Sequence, residues 1–107
     1  MEACAALADP IRKQIVELLA SGDRTAGDIA ARFPVTRPAI SRHLRVLRES
    51  GLATVRGDAQ RRIYQLNTAP LVELEDWIGA QRRLWDGRLD ALGRHLDTME
   101  GKRRSRQ

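Results

Sequence analysis

The sequence contains one cysteine, Cys4, in 107 residues. A single cysteine cannot form a disulfide within the chain, and no second soft ligand lies near it in the sequence to suggest a zinc motif. A disulfide-stabilised scaffold is therefore excluded. The cytoplasm, where disulfides are rare, is the expected compartment.

A long apolar run is also lacking. Arg, Asp or Glu interrupts every stretch before it reaches the roughly twenty apolar residues that a membrane span needs. No basic segment precedes an apolar run in the manner of a signal peptide. We therefore expect a soluble protein that carries no targeting signal and does not enter a membrane.

Catalytic residue sets are lacking as well. No Ser, His and Asp set and no Cys and His set shares a plausible site, and no glycine-rich loop could hold a phosphate. Gly57–Asp58 is better explained as turn chemistry. The sequence predicts that the protein is not an enzyme, and it implies no cofactor.

Basic residues, by contrast, are abundant. The sequence has nineteen Lys and Arg residues and fourteen Asp and Glu residues, which gives a net charge of +5. Seventeen of the nineteen basic residues are Arg. The planar guanidinium suits phosphates and guanine edges. An excess of Arg can also reflect GC-rich coding, so the position of these residues must decide whether the partner is a nucleic acid.

Two helices are predicted before the centre of the chain. Asp9 followed by Pro10 is typical of a helix start, and Ser21–Gly22 predicts the end of that helix. Thr25, with an acid three residues later, resembles a capping box that opens a second, shorter helix. Pro34 stops it.

The next helix follows after a very tight turn. Thr36 is its expected N-cap, with Pro38 in the first turn and Gly51 at the end. Residues 25–50 therefore predict a helix-turn-helix. Leu52–Arg56 and Arg61–Leu66 have strand-forming composition, and residues 57–60 between them predict a hairpin loop, so residues 52–66 form a candidate wing.

A last helix is predicted over residues 68–100, capped by Asn67 or Thr68. Its apolar residues follow heptad-like spacing, although a break near Gly79 is conceivable because glycine weakens helices. Residues 101–107 are basic and expected to be disordered. The predicted fold is thus one domain over residues 1–100, mainly α with a β-hairpin wing: a winged helix-turn-helix.

Two large aromatic residues, Trp77 and Trp85, lie on this last helix. They exceed what a domain of this size needs for its own core, so a second copy of the chain is the expected cover. The alternative is that both pack on the chain's own first helix. The expected dimer interface comprises Leu71, Leu74, Trp77, Ile78, Trp85, Leu92 and Leu96.

The helix from Arg37 to Ser50 is amphipathic. Ile40, Leu44 and Leu47 share one face, and the basic residues lie away from it. Such faces are often merely solvated. Here, however, residues 36–62 carry seven arginines against two acids, a charge of +5 that equals the net charge of the whole chain.

Position along this helix assigns the expected roles. Arg37, Ser41 and Arg42, near its start, are expected to reach base edges, whereas Arg45 and the hairpin arginines hold phosphates or the minor groove. Arg48 is expected to be solvated, and His43 to be partly buried and hydrogen-bonded to a neighbour. The residues expected to contact DNA are Thr36, Arg37, Ser41, Arg42, Arg45, Arg56, Arg61 and Arg62.

Two segments carry a family resemblance, ALADPIR at Ala6–Arg12 and RPAISRHLRVLRESGL at Arg37–Leu52. With them the sequence resembles the ArsR/SmtB family of winged-helix repressors over roughly residues 3–96. The resemblance implies a dimer closed by N- and C-terminal helices, which represses transcription by occupying an inverted-repeat operator near a promoter.

The metal sites of many such repressors have no counterpart here. The helix pair lacks cysteine, and the last helix has Asp90, His95, Asp97 and Glu100 without a carboxylate two residues before His95 or a second histidine after it. The sequence thus resembles the branch without a metal site. Two alternatives remain open: a ligand or redox sensor on the same fold acting through Cys4, and a winged helix that docks an acidic protein surface.

Overall fold

The computed structural model describes the backbone of residues 2–58 and 60–105 and the side chains of residues 2–58 and 60–99. The chain is mainly helical with a small antiparallel sheet, as the sequence predicts. Its elements are α1 (Glu2–Leu7), α2 (Pro10–Ala20), β1 (Arg24–Thr25), α3 (Ala26–Arg32), α4 (Arg37–Glu49), β2 (Ala53–Asp58), β3 (Arg61–Leu66) and α5 (Ala69–Ser105).

Asp9 opens α2 as predicted. Its carboxylate accepts hydrogen bonds from the backbone N–H groups of Ile11, at 2.8 Å, and Arg12, at 3.1 Å. The hydrogen bond from the Arg12 N–H is the main cause that lowers the pKa of Asp9 below its ordinary value of 3.8, while partial burial acts in the opposite direction. Pro10 follows at the first helical position, where no N–H donor is needed.

Gly51 ends α4, also as predicted. Its φ of 79° lies in the left-handed region that glycine adopts without strain. The Gly51 N–H donates to the Arg48 carbonyl at 3.0 Å, and the Leu52 N–H donates to the Leu47 carbonyl at 2.9 Å. This pair of bonds is a Schellman motif, and it carries the chain directly into the core at the fully buried Leu52.

The core lies in the first of two compact units, which ends at Leu74. Ile15, Ile29, Leu47 and Leu52 are its most deeply buried large side chains. Thus α2, α3 and α4 each supply a central residue, and the residue before β2 supplies the fourth. The remaining buried members are Ala3, Ala6, Val16, Leu19, Ile40, Leu44, Ala53 and Tyr64.

The sheet differs from the expected two-stranded hairpin. It has three strands in the order β1-β3-β2, because Arg24 and Thr25 pair with Tyr64 and Ile63. A two-residue strand is too short to show a periodic pattern, so the sequence could not predict it. Thr25 also caps α3, accepting a hydrogen bond from the Asp28 N–H at 3.1 Å as predicted.

Strand β3 has the predicted bounds, whereas β2 begins at Ala53 instead of Leu52 and ends at Asp58 instead of Arg56. The register of β2 and β3 continues to the pair Asp58 and Arg61, so Gly57 and Asp58 are strand residues and only residues 59 and 60 connect the strands. Gly and Asp are depleted in strands, which is why the sequence placed them in a loop. Continued cross-strand pairing overrides that preference.

The last helix extends beyond its expected bounds. α5 runs without interruption from Ala69 to Ser105, so there is no break at Gly79 and the expected end at residue 100 is wrong. Good helix formers follow Gly79 directly, and Lys and Arg in residues 102–104 also favour helix, which explains both differences. The expected disorder of Arg106 and Gln107 concerns residues outside the described part of the chain.

The chain forms two compact units, and the single domain expected over residues 1–100 stays a prediction. Its second compact unit begins at Glu75, within α5. Because this unit is one helix in the described part of the chain, it has no core of its own. Within the described residues, no helix combines the length and apolar character that crossing a bilayer requires.

The capping role of Asp9 predicts a pH-dependent contribution to stability. Asp9→Ala should lower the free energy of unfolding by about 1 kcal/mol at neutral pH. Since the pKa of Asp9 is lowered on folding, its contribution is present above the unfolded-state value and is lost as pH falls through the folded-state value. Urea unfolding at several pH values measures this.

Asp9→Asn is the matched control, because asparagine caps helices about as well as aspartate but does not titrate. We expect this variant to match the wild type near neutral pH and to lose less stability on acidification. Equal stability of Asp9→Ala and the wild type at neutral pH would contradict the capping role.

Candidate nucleic-acid interface

Helix α4 begins at the predicted cap. The Thr36 hydroxyl accepts a hydrogen bond from the Ala39 N–H at 3.3 Å, and Arg37 and Pro38 occupy the first two helical positions. Only residues 33–36 separate α3 from α4. Phe33 and Val35 in this turn pack partly buried against the core, so the turn that joins the two helices is fixed.

One face of α4 is buried and the other is exposed, as predicted. Ile40, Leu44 and Leu47 are 2%, 3% and 0% exposed, respectively. Because burial holds these apolar side chains in the core, the opposite side of the helix is left in solvent. The exposed polar side chains there are Arg37, Ser41, Arg42, Arg45, Arg48 and Glu49.

The wing carries further exposed arginines. Arg56, Arg61 and Arg62 are exposed on β2 and β3, and Gly57 pairs with Arg62 across the hairpin. An open groove of about 510 Å³ lies between α4 and β2. Its lining includes Arg45, Arg48, Glu49 and Thr54.

Arg48 is exposed, as the sequence predicts, and it lines this groove together with Arg45. The sequence placed Arg48 late in the helix and gave no information about β2. The antiparallel wing brings the start of β2 beside that end of α4, and the groove between them forms from residues on both elements. Arg48 is thus part of the cationic surface of α4 and the wing.

Two wing arginines have acidic neighbours. Arg61 lies 3.5 Å from the Asp58 carboxylate, and Arg56 lies 3.8 Å from the Asp23 carboxylate. More than a third of each of the four side chains is solvent-exposed, so these ion pairs contribute little to stability. The sequence gives no sign of the Asp23 contact, because Asp23 precedes β1 and the pairing of β1 with β3 brings it to the wing.

The geometry of the helix pair and the wing agrees with comparisons to known proteins. Residues 9–55 match the family model described as "Bacterial regulatory protein, arsR family". The transcriptional repressor SdpR of Bacillus subtilis is 40% identical over 68% of this chain and 81% of its own length. The regulator Rv2034 of Mycobacterium tuberculosis is 39% identical over 87% of this chain and 84% of its own length.

The chain belongs to the ArsR family. Its fold is similar to that of an ArsR-like transcriptional regulator from Rhodococcus sp. RHA1, with a TM-score of 0.77 and 32% identity over 85% of this chain and 86% of that one. The protein is therefore a DNA-binding transcriptional regulator with a winged helix-turn-helix fold, as the sequence indicates.

His43 of this ArsR-family protein lies at the edge of the buried face of α4. Its side chain is 15% exposed, and its Nδ1 atom lies 3.2 Å from Nη1 of Arg12 and 4.0 Å from Oδ1 of Asp9. The predicted partly buried, hydrogen-bonded histidine is thus confirmed. Sequence analysis did not identify its partner Arg12, which lies 31 residues away.

The residues predicted for the dimer interface fall into two groups. Leu71 is partly buried against the core of its own chain, and Leu74 is also partly buried. Trp77 and Trp85 remain 50% and 59% exposed. Ile78, Leu92 and Leu96 are also exposed, together with Val72, Leu84, Leu89 and Met99, which the interface prediction did not include.

Metal-binding residues do not cluster in the described part of the chain. Among these residues no group of three or more His, Cys, Asp and Glu side chains lies close enough to hold an ion. Asp90, His95 and Asp97 lie on α5, and the side chain of Glu100 is outside the described residues. Cys4 is exposed on α1.

Proposed function

We propose that this ArsR-family regulator is a cytoplasmic repressor that binds an inverted-repeat operator as a homodimer, with α4 as its reading helix. The observation that carries the proposal is the division of α4 into a buried apolar face and an exposed cationic face, flanked by the basic wing. Repression is the activity named for SdpR. A dimer on promoter DNA would exclude polymerase sterically.

Base recognition is assigned to the first half of α4. In helix-turn-helix proteins the first residues of the second helix reach base edges in the major groove. Arg37, Ser41 and Arg42 are exposed at that end of α4. A guanidinium can donate two hydrogen bonds to guanine O6 and N7, so Arg42 is the main candidate for sequence discrimination.

Phosphate binding is assigned to the later part of α4 and to the wing. Arg45 lines the groove between α4 and β2, and Arg56, Arg61 and Arg62 extend the positive surface along the hairpin. Such cations neutralise phosphates and set the register on the duplex. Thr36, exposed at the start of α4, lies where a helix N-terminus can approach a phosphate.

Dimerisation is assigned to α5. At about 100° per residue, its exposed large apolar side chains from Trp77 to Met99 fall within an arc of about 140°. Gln81, Arg88 and His95 also fall within this arc, so the stripe is not wholly apolar. Exposure of at least half of each tryptophan to water is unfavourable in free energy. The same stripe on a second copy of the chain would cover both side chains.

A symmetric dimer explains why the operator should be an inverted repeat. A two-fold axis relates the two copies of α4, so each copy reads the same sequence on opposite strands. The half-sites should then lie about one helical turn, or roughly 34 Å, apart.

The division of roles predicts different effects for two arginine variants. Arg42→Ala should reduce discrimination between the preferred duplex and a duplex altered at the contacted base by about 1 to 3 kcal/mol. Arg61→Ala should weaken binding to all duplexes alike and reduce the slope of log affinity against log salt by about 1. Fluorescence anisotropy titrations at several salt concentrations measure both quantities.

Lys13→Ala removes one exposed positive charge from α2 and serves as the matched control. We expect its salt slope and its sequence discrimination to equal those of the wild type. If Arg42→Ala and Arg61→Ala changed the affinity for every duplex by the same amount, the assignment of base contacts to Arg42 and phosphate contacts to Arg61 would be wrong.

The assignment of α5 predicts that Trp85→Ala weakens dimerisation and operator binding together. Removing a tryptophan from the centre of an interface costs at least about 2 kcal/mol, which raises the dimer dissociation constant by about thirtyfold or more. Sedimentation velocity over a range of concentrations measures it. Asp86→Ala, on the polar side of the same helix, should leave the constant unchanged, and a monomeric wild type at micromolar concentration would refute the dimer.

A further inference from the structure

The guanidinium of Arg12 joins three helices. Its backbone lies in α2, yet Nε donates to the carbonyl oxygen of Ala6 in α1 at 2.8 Å, and Nη1 lies 3.2 Å from Nδ1 of His43 in α4. The Ala6 carbonyl is one of the last four of α1, which have no partner within the helix. Arg12 therefore differs from the arginines of the cationic surface, because its guanidinium forms hydrogen bonds within the protein.

The contact with His43 has a defined direction. A guanidinium has only donors, so in the hydrogen bond Arg12 donates and Nδ1 of His43 accepts. The carboxylate of Asp9 lies 4.0 Å from the same nitrogen. His43 thus faces a fixed polar site formed by the start of α2.

Hydrogen bonds rather than close packing hold Arg12 in this place. An open groove of about 300 Å³ lies beside it, and its lining includes Ala5, Val46 and the acidic residues Glu2 and Glu49. Neighbouring atoms therefore do not fully enclose the guanidinium. The planar guanidinium is fixed when it donates to both the Ala6 carbonyl and Nδ1 of His43. The ammonium group of lysine could not reproduce that geometry.

We propose that Arg12 is a positioning residue that sets the rotation of α4 about its own axis and thereby the sequence preference of the DNA-reading face. The inference rests on the proposed function of α4. Burial of Ile40, Leu44 and Leu47 favours contact with the core but is not directional. The bond from Arg12 to His43 supplies a direction, because it ties one side of α4 to α1 and α2.

The magnitude of the effect follows from helix geometry. Side-chain tips lie about 5 to 6 Å from a helix axis, so a rotation of about 10° moves them by about 1 Å. Recognition sites need their groups within about 0.5 Å of the productive position. Arg42 is the residue next to His43, so a small rotation of α4 would displace its guanidinium from a base edge while leaving phosphate attraction almost unchanged.

The test compares His43→Leu with His43→Asn. Leucine fills a similar volume but accepts no hydrogen bond, whereas Oδ1 of asparagine is separated from Cβ by the same number of bonds as Nδ1 of histidine. Arg12→Lys keeps the charge but lacks the fork. The probes are a duplex selected by the wild-type protein from a random pool and a duplex of random sequence, both at about 0.15 M salt.

We expect His43→Leu and Arg12→Lys each to reduce the preference for the selected duplex over the random one by about tenfold. Binding to the random duplex should change by less than about twofold. His43→Asn should restore most of the preference. The double variant Arg12→Lys with His43→Leu should lose no more than either single variant, because both remove the same bond.

Three results would overturn the proposal. Parallel loss of affinity for both duplexes would show that Arg12 and His43 only stabilise the fold, and circular dichroism with thermal unfolding would detect that loss of stability. Full preference in both Arg12→Lys and His43→Leu would show that the bond does not position α4. Equal binding of both duplexes by the wild type would instead refute the proposed function, and with it this inference.

Discussion

Leu47 lies in the last turn of α4 with no exposed surface, and Ile40 and Leu44 on the same face are almost as deeply buried. Truncating a leucine at such a position typically costs about 2 to 5 kcal/mol, which is a large share of the stability of a small domain. Because this face is fixed in the core, the arginines on the rest of the helix have only solvent or a bound partner to face. The DNA-binding surface is thus a consequence of core packing.

The elements around α4 determine the bounds and the surroundings of this DNA-binding surface. Thr36 fixes where the helix begins, and the Schellman motif at Gly51 turns the chain into β2. Because β2 starts beside the end of α4, residues of both elements line one groove, and the exposed wing arginines follow on β2 and β3. Arg12 joins α1 and α2 to α4 through hydrogen bonds to the Ala6 carbonyl and to the His43 side chain.

Much of this arrangement could be predicted from the sequence because the signals are local. The capping residues Asp9, Thr36 and Gly51 indicate where helices begin and end. The spacing of the apolar residues identifies the buried face of each helix. The pairing of β1 with β3 could not be predicted, and neither could the Asp23 neighbour of Arg56 or the Arg12 partner of His43. These contacts join residues far apart in the chain and leave no periodic or capping signal.

The central claim, that α4 reads DNA sequence within a symmetric dimer, is tested most directly by selecting duplexes from a random pool with the purified protein. The salt concentration should be about 0.15 M, at which binding driven by phosphates alone is weak. The account predicts enrichment of an inverted repeat whose half-sites lie about one helical turn apart. Failure to enrich any sequence would contradict it and would favour a winged helix that docks an acidic protein surface.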